Sequence, residues 1–357
     1  MIRDRGRRYA EAGLRTARLL THRHPSPGLR VGYGHDRIPA PGERAAGGSV
    51  KYQRLATRFP NRMDDFTLLY LGSSGLPRDL GLVLALARRR KAPIVLNQDG
   101  VGYPAWAGDR VAEVNRPLRR ALLAADHVVY QTQFCKNDAD HYLGEPRGTW
   151  EILPNAVDCE HFTPGHVPEG PPTLLLAGNQ TSPGRLGLAL RTIAAVRATE
   201  PEARLIVAGL VPAPELGPFA NTGNGVELVG PYTQAEAPAL YRRAHVLLHT
   251  KPLDPCPNVV LEAMACGLPV VFPASGGVPE LVGDAGVGVR HDVSHERLSL
   301  PTAEAMAAGV LTALEEREAL SASARVRAVE RFPLPRWLEH HAELFAELLA
   351  RSARPPQ

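Results

Sequence analysis

The stretch "DPCPNVVLEAMACGLPVV", residues 254–271, decides the fold of the second half of the chain. A Pro-rich loop leads into an apolar run of helical length, and a β-branched run of strand length follows it. Asn258, directly after Pro257, is predicted to cap the helix, and Gly267 is predicted to end it at the C′ position. The stretch therefore predicts loop, helix and buried strand in succession, which is the unit of a doubly wound parallel sheet.

The same stretch holds two carboxylates that do not belong to an ordinary core. Asp254 lies in the loop, and Glu262 lies one turn inside the helix with no adjacent Lys or Arg. In a doubly wound sheet this loop is at the carboxyl edge of the strand predicted at 245–250, where ligands bind and a helix start attracts phosphate. A buried, unpaired Glu262 is costly unless it accepts hydrogen bonds, for example from a vicinal diol. An exposed Glu262 favoured by the helix dipole is an equal alternative.

Short apolar runs alternate with helical patterns along most of the chain, which predicts two doubly wound α/β domains. The predicted strands are 29–34, 66–72, 92–98 and 127–132 in the first half, and 173–178, 204–209, 225–230, 245–250 and 269–273 in the second. The predicted domains are a basic arm at 1–28, a first α/β domain at 29–160, a linker at 161–172, a second α/β domain at 173–330 and a terminal helix at 331–357.

Composition indicates a globular protein with two cores. The 357 residues are 44% hydrophobic and 22% charged, and no run of about 20 apolar residues suggests a membrane span. The four cysteines have no CxxC or zinc-like spacing, so we expect a reducing cytoplasm and no metal site. A net charge of +4 suits anionic ligands without predicting a nucleic-acid partner. The basic arm is either a solvated tail or a peripheral membrane contact at the inner face.

Longer motifs resemble a known family. "DPCPNVVLEAMACGLPVVFPASGGVPELV" resembles the nucleotide-sugar signature of GT-B glycosyltransferases of family 4, E-x7-E, A-M-A-x-G-x-P-V-V, then G-G-x-P-E. "ERAAGGSVKYQRLATRF", "ILPNAVDCEHFTP" and "GPYTQAEAPALYRRAHVLLHT" are similar to further ordered motifs of that family. The resemblance implies two Rossmann-like domains facing across a cleft, with the domain at 29–160 on the acceptor side, the domain at 173–330 binding the nucleotide sugar, and C-terminal helices crossing back. It also implies transfer of a sugar, with retention, from a UDP- or GDP-sugar to the hydroxyl of a glycan, a lipid-linked glycan or a small molecule, without a metal or cofactor.

The resemblance assigns roles to particular residues. Glu262 would bind the ribose of the donor nucleotide, and Asp254, where the family has Glu, would contact the donor sugar. Neither acid would then need a cationic partner. The remaining residues implied at the donor are Asn258 and Val259 at the diphosphate, Gly276 and Gly277 in a second loop, and Gly47 and Gly48 from the facing domain.

Two departures from the family pattern concern catalysis. Asn179 replaces the family's Arg after the first strand of the second domain, and Arg185 matches the family's Lys only with a one-residue shift. The family's His in the first domain is also missing. The polar residues that could contact acceptor or sugar instead are Asn97, Asp99 and His35. An Asp-Gly turn at Asp99 is an equally good interpretation.

Two other functions fit the same residues. The missing Arg and His suit a non-catalytic protein that binds sugar nucleotides. A sugar-nucleotide 2-epimerase would share the fold and the donor site.

Overall fold

A computed structural model describes residues 13, 16–17, 28–40, 42–45, 47–182, 184–212 and 225–352. The chain divides into two compact units. The first unit comprises Met1–Pro41, Ala45–Leu153 and Leu338–Gln357, and the second comprises Gly42–Arg44 and Pro154–Trp337. The basic residues of the predicted arm lie outside the described residues.

The first unit is built on a five-stranded sheet in which every neighbouring pair is parallel. Its strands, in spatial as well as chain order, are β1 (Val31–Gly32), β2 (Leu68–Gly72), β3 (Ile94–Gln98), β4 (His127–Tyr130) and β5 (Thr149–Ile152). The helices are α1 (Gly47–Ala56), α2 (Leu80–Arg90), α3 (Pro104–Ala107), α4 (Val111–Ala124) and α5 (Gln133–Tyr142). All residues of β2 and β3 are buried, because helices cover both faces of a parallel sheet.

The second unit is built on a six-stranded parallel sheet with the order β11-β10-β9-β6-β7-β8. Its strands are β6 (Thr173–Leu176), β7 (Arg204–Ala208), β8 (Val226–Gly230), β9 (Val246–Leu248), β10 (Val270–Pro273) and β11 (Gly286–Val289). The helices are α6 (Arg185–Val196), α7 (Ala237–Tyr241), α8 (Asn258–Ala265), α9 (Val278–Val282), α10 (Ala303–Glu315) and α11 (Arg317–Arg331), and the last helix, α12 (Leu334–Ser352), begins in this unit. The prediction of two parallel-sheet α/β domains is therefore confirmed, although the strand order reverses only in the second sheet, as a doubly wound sheet requires, and the first sheet keeps chain order.

Two strands escaped the sequence analysis. β5 is an edge strand whose Thr149 and Trp150 are exposed, so it lacks the apolar run of a buried strand. β11 has the sequence GVGV, in which glycine obscures the pattern.

The division between the units falls at Leu153 and Pro154, whereas the sequence analysis ended the first domain at 160. Residues after Pro154 group with the second unit because the Val157 N–H donates to the Phe332 carbonyl and the Leu334 N–H donates to the Val157 carbonyl. At the other end of the chain, the part of α12 that begins at Leu338 groups with the first unit.

No helix among the described residues combines the length and the apolar composition that crossing a bilayer requires.

Phe345 attaches α12 to the first unit. Its side chain is fully buried and packs edge-on against Phe59 and Tyr70, with ring centroids 5.2 and 6.0 Å apart. Aromatic pairs of this geometry add to the free energy gained by burial. The last helix is therefore part of the first unit's core.

We expect Phe345→Ala to lower the free energy of unfolding by about 3–5 kcal/mol, because it leaves a cavity between α12 and the sheet. Urea denaturation followed by tryptophan fluorescence measures this. The exposed Glu347→Ala on the same helix is the control and should change stability by about 0.5 kcal/mol or less. Equal effects of the two substitutions would contradict the packing role of Phe345.

Candidate donor site and the polar cluster of the first unit

The strand order of the second unit reverses between β6 and β9. These strands are neighbours, with Leu175 paired to Leu247, yet two further strands separate them in sequence. Ligands of doubly wound sheets bind at such switch points, outside the carboxyl ends of the strands. The loops that follow β6 and β9 carry Asn179 and Asp254, and Arg185 begins α6 at the end of the first of these loops; the sequence analysis selected all three residues.

Asp254 is nearly buried in the loop between β9 and α8 and has a cationic partner. Its Oδ1 lies 3.1 Å from Nζ of Lys251, and its Oδ2 lies 3.5 Å from Nε2 of the buried His249. Burial opposes ionisation of Asp254, but the charge of Lys251 and its hydrogen bond, together with the charge of Arg185, lower the pKa of the carboxyl. The expectation that Asp254 needs no cation was therefore wrong, because Lys251 is three residues upstream and the loop turns back on itself.

The Gly-Gly loop after β10 packs directly on the backbone of Asp254. The Gly277 N–H donates to the Asp254 carbonyl at 2.9 Å, so this donor is used inside the site. A Cβ on Gly276 would lie 2.6 Å from the Asp254 nitrogen, and Gly276 has a φ of +73°. Ser275 adds a third link, because its Oγ accepts from the Leu253 N–H and lies 2.9 Å from Nε2 of His291. The two loops therefore hold each other in place.

Glu262 is 1% exposed in α8, which excludes the alternative of a solvated helix position. The Tyr241 hydroxyl donates to its Oε2 at 2.9 Å. Burial and the neighbouring Glu262 raise the pKa of Tyr241 far above its ordinary value, so the phenol stays protonated and keeps donating. The carboxyl group of Glu262 is thus held by a neutral partner within the unit's core.

The helix that carries Glu262 begins at Asn258, one residue earlier than a cap at Asn258 would require. Pro257 occupies the cap position in extended conformation, and its carbonyl accepts the first helical bond from Val260. The predicted Asn258 cap was therefore wrong. The predicted end of the helix is confirmed, since Gly267 follows Cys266 with a φ of +69°.

The loop after β6 carries Asn179 and Arg185 close to this helix. Val259 Cγ1 would lie 3.3 Å from a Cβ on Gly178, and Asn179 Oδ1 accepts from the Leu210 N–H at 3.1 Å. Arg185 is buried and donates to the carbonyls of Ala177 (2.5 Å) and Asn179 (2.8 Å). Burial lowers the pKa of its guanidinium, although Asp254 opposes that shift. Arg185 therefore braces its own loop in this conformation.

The first unit gathers its predicted residues around Asp99, at the carboxyl end of β3. Asp99 Oδ2 lies 3.0 Å from Nζ of the buried Lys51 and accepts from Ser74 at 2.6 Å. Its Oδ1 accepts from the Ser73 hydroxyl and from the Gly100 N–H. Burial opposes ionisation, but Lys51 and these hydrogen bonds outweigh it and lower the pKa of Asp99. Both carboxylate oxygens are therefore engaged within the unit.

The other predicted residues of the first unit adjoin this cluster. Asn97 Oδ1 accepts from Lys51 at 2.6 Å and from Gln131 at 2.9 Å. Gly47 begins α1, and a Cβ on Gly48 would lie 2.2 Å from Ser74 Oγ. His35 lies 2.7 Å from the Gly75 carbonyl, to which its Nε2 can only donate. The cluster therefore links α1 to the loops after β1, β2 and β3.

Sequence reasoning missed the residues that neutralise or hold the acids. Lys51 is 48 residues from Asp99, and Tyr241 is 21 residues from Glu262. At such separations no local sequence pattern predicts the pairs. Lys251 could have been found, because it precedes Asp254 by three residues in the same loop.

Comparison with known proteins finds similarity to glycosyltransferases. Residues 171–316 match the family model described as Glycosyl transferases group 1. A D-inositol 3-phosphate glycosyltransferase of Geodermatophilus obscurus is 28% identical over 87% of this chain and 72% of its own length. The gpi3 subunit of a phosphatidylinositol N-acetylglucosaminyltransferase of Schizosaccharomyces pombe is 23% identical over 47% of this chain, which spans 38% of that relative.

Solved structures show the same fold. A sucrose-phosphate synthase of Thermosynechococcus elongatus has a TM-score of 0.65 at 19% identity, covering 85% of this chain and 77% of that one. Anabaena Alr3699/HepE in complex with UDP-glucose has a TM-score of 0.62 at 19% identity, covering 79% of each chain.

The two parallel-sheet α/β units have the fold of the GT-B glycosyltransferases among these solved structures. Within the second unit, residues 171–316, which include the acid pair and the Gly-Gly loop, are similar to the glycosyl transferases of group 1.

We expect Gly276→Ala to destabilise the second unit more than Gly230→Ala does. Both glycines have left-handed φ angles, +73° and +77°, but only Gly276 faces backbone atoms within 3 Å, whereas Gly230 faces open space. Each substitution costs about 1 kcal/mol or more for the backbone conformation, and the first must also displace the Asp254 loop. Thermal unfolding of both variants measures the difference, and equal losses would contradict the close packing of the two loops.

We expect Asp99→Ala to lower the free energy of unfolding by about 3–5 kcal/mol, because it leaves Lys51 buried without its carboxylate. The pKa of Asp99 is depressed in the folded state, so its contribution is present above its unfolded pKa of about 3.9 and is lost as pH falls through the folded value. The difference from the unsubstituted chain should therefore shrink below about pH 4. Urea titrations at several pH values measure it, with the exposed Asp109→Ala as control. A difference that grows as the pH falls would refute this account.

Proposed function

We propose that this protein transfers a sugar from a UDP- or GDP-sugar to a hydroxyl acceptor, with retention of anomeric configuration and without a metal or cofactor. The observation that carries the proposal is the buried carboxylate of Glu262, on a helix whose first turn follows Asp254 at the switch point of the sheet. A carboxylate in that position suits the hydroxyls of a ribose, and the helix start suits phosphate.

The proposed roles follow from the position of each group. Glu262 binds the ribose, and the backbone N–H groups of Asn258 and Val259 bind the diphosphate at the positive end of the helix dipole. Asp254 contacts the hydroxyls of the donor sugar. Attack on the same face from which the diphosphate leaves lets a phosphate oxygen take the acceptor's proton, so the reaction needs no separate protein base.

The similar proteins suggest which donor nucleotide and which acceptors to test first. Alr3699/HepE was solved with UDP-glucose, which supports UDP as the first nucleotide to test. The names of the two relatives above contain D-inositol 3-phosphate and phosphatidylinositol, which supports inositol compounds as acceptors alongside glycans. A cytoplasmic location and contact of the basic arm with a membrane belong to the same proposal.

The test distinguishes the proposed role of Glu262 in nucleotide binding from that of Asp254 in sugar transfer. We expect Glu262→Gln to weaken UDP or GDP binding about tenfold or more, since hydrogen bonds to a charged group are worth about 1.5–3 kcal/mol. We expect Asp254→Asn to keep nucleotide binding and to lower kcat/KM for transfer. Calorimetry measures binding, and NMR of the product reports the anomeric configuration and the acceptor used. The acceptor screen includes inositol phosphates and glycans.

Two variants make the result interpretable. Glu304→Ala removes an exposed carboxylate from the first turn of α10 and should change neither quantity. Tyr241→Phe removes the neutral donor to Glu262 and reports how far a local rearrangement alone affects binding.

Other outcomes point to the other functions. Donor turnover by Glu262→Gln at the rate of the unsubstituted chain would contradict the assignment of the donor site. Isomerised donor in the absence of any acceptor indicates a 2-epimerase, and nucleotide binding without turnover indicates a non-catalytic binder.

A further inference from the structure

Lys251 lies in the donor-site loop with an accessible charge. It follows β9 and precedes Asp254 by three residues, and its Nζ lies 3.1 Å from Oδ1 of that carboxylate. The side chain is 31% exposed, so its ammonium group keeps donor capacity beyond this one contact. Nothing in the proposed function so far uses it.

The other basic groups beside Asp254 are engaged or neutral. Both terminal nitrogens of Arg185 donate to backbone carbonyls, and the residue is 6% exposed. His249 is 1% exposed, and burial lowers its pKa to about 3, so it carries no charge near neutral pH. Among the described residues whose charges act on Asp254, Lys251 alone combines a positive charge with access to solvent.

The loop that carries Lys251 is fixed. Asn155 donates to the Cys256 carbonyl at 2.9 Å, and Gly277 donates to the carbonyl of Asp254. The ion pair with Asp254 holds the ammonium group beside the carboxylate. The site therefore presents an adjacent acid and cation on a rigid turn, ahead of a helix start.

We propose that Lys251 binds the diphosphate of the donor and balances the charge that develops on it during transfer. This inference rests on the proposed function and adds a residue to the same site. Asn179 stands where the family's pattern has an Arg, and Arg185 donates to backbone carbonyls. Among the described residues whose charges act on Asp254, no other cation is exposed. A fixed positive charge near the leaving group favours the transition state over the ground state.

The chemistry balances without any further reactant. The bond between the anomeric carbon and the diphosphate oxygen breaks, and its electron pair stays on the leaving oxygen. The acceptor oxygen bonds to the same carbon, and its proton goes to a phosphate oxygen. Lys251 keeps its protons throughout and acts by charge and hydrogen bonding alone.

The experiment compares Lys251→Met with Lys251→Arg by calorimetry on uridine, UMP and UDP, with the guanosine series in parallel. We expect Lys251→Met to weaken binding of the nucleoside diphosphate about tenfold to a hundredfold and to leave nucleoside binding unchanged. Lys251→Arg should recover most of the loss, because it restores a cation. Arg204→Met removes an exposed cation from the start of β7, at the end of the strands opposite to the site, and should not change binding of any of these ligands.

A double-mutant cycle with Asp254→Asn excludes an indirect effect through the ion pair. If Lys251 acts on the diphosphate itself, its replacement still weakens UDP binding in the Asp254→Asn background. Loss of that effect, or equal losses for uridine and UDP, overturns the inference while the proposed function stands. Failure of the unsubstituted chain to bind any nucleoside diphosphate overturns the proposed function instead.

Discussion

The close packing of the Gly-Gly loop on the Asp254 backbone is the contact on which the candidate donor site depends. Gly276 approaches the peptide of Asp254 more closely than any side chain would allow, and the Gly277 N–H donates a hydrogen bond to the Asp254 carbonyl. The loops that follow the neighbouring strands β9 and β10 thereby form one rigid rim at the carboxyl edge of the sheet. Binding groups held by such a rim need no reordering when a ligand arrives, which preserves affinity.

Each unit gathers the carboxyl ends of its strands around one aspartate with a lysine partner. The pairs are nearly alike in distance, 3.0 Å for Lys51 and Asp99 and 3.1 Å for Lys251 and Asp254. They differ in access, because the lysine is 3% exposed in the first pair and 31% exposed in the second. A saturated, buried pair fixes structure, whereas a partly solvated pair keeps donors for a ligand. The Lys51–Asp99 pair therefore stabilises the first unit, whereas the Lys251–Asp254 pair in the second unit leaves ammonium donors accessible to solvent.

Sequence reasoning located most of the fold and part of the candidate site. Buried strands such as β3 are recognisable because parallel strands covered on both faces are continuously apolar. The edge strand β5 and the glycine-rich β11 lack that signal. Glu262 stands out because a charge in an apolar helix is costly, whereas the Asn258 cap was predicted wrongly because local propensity does not show that Pro257 already starts the helix.

The sequence alone determined the alternation of strands and helices, the position of the two acids and the glycines that end α8 and form the Gly-Gly loop. These features follow from short-range periodicity and backbone restriction, which neighbouring residues carry. Only the tertiary structure decided which groups partner the acids: Tyr241 for Glu262, Lys51 for Asp99, and Lys251 with the nearby His249 for Asp254. Side-chain pairing depends on where loops from separate strands meet in space, and parallel strands bring together loops that are far apart in the chain.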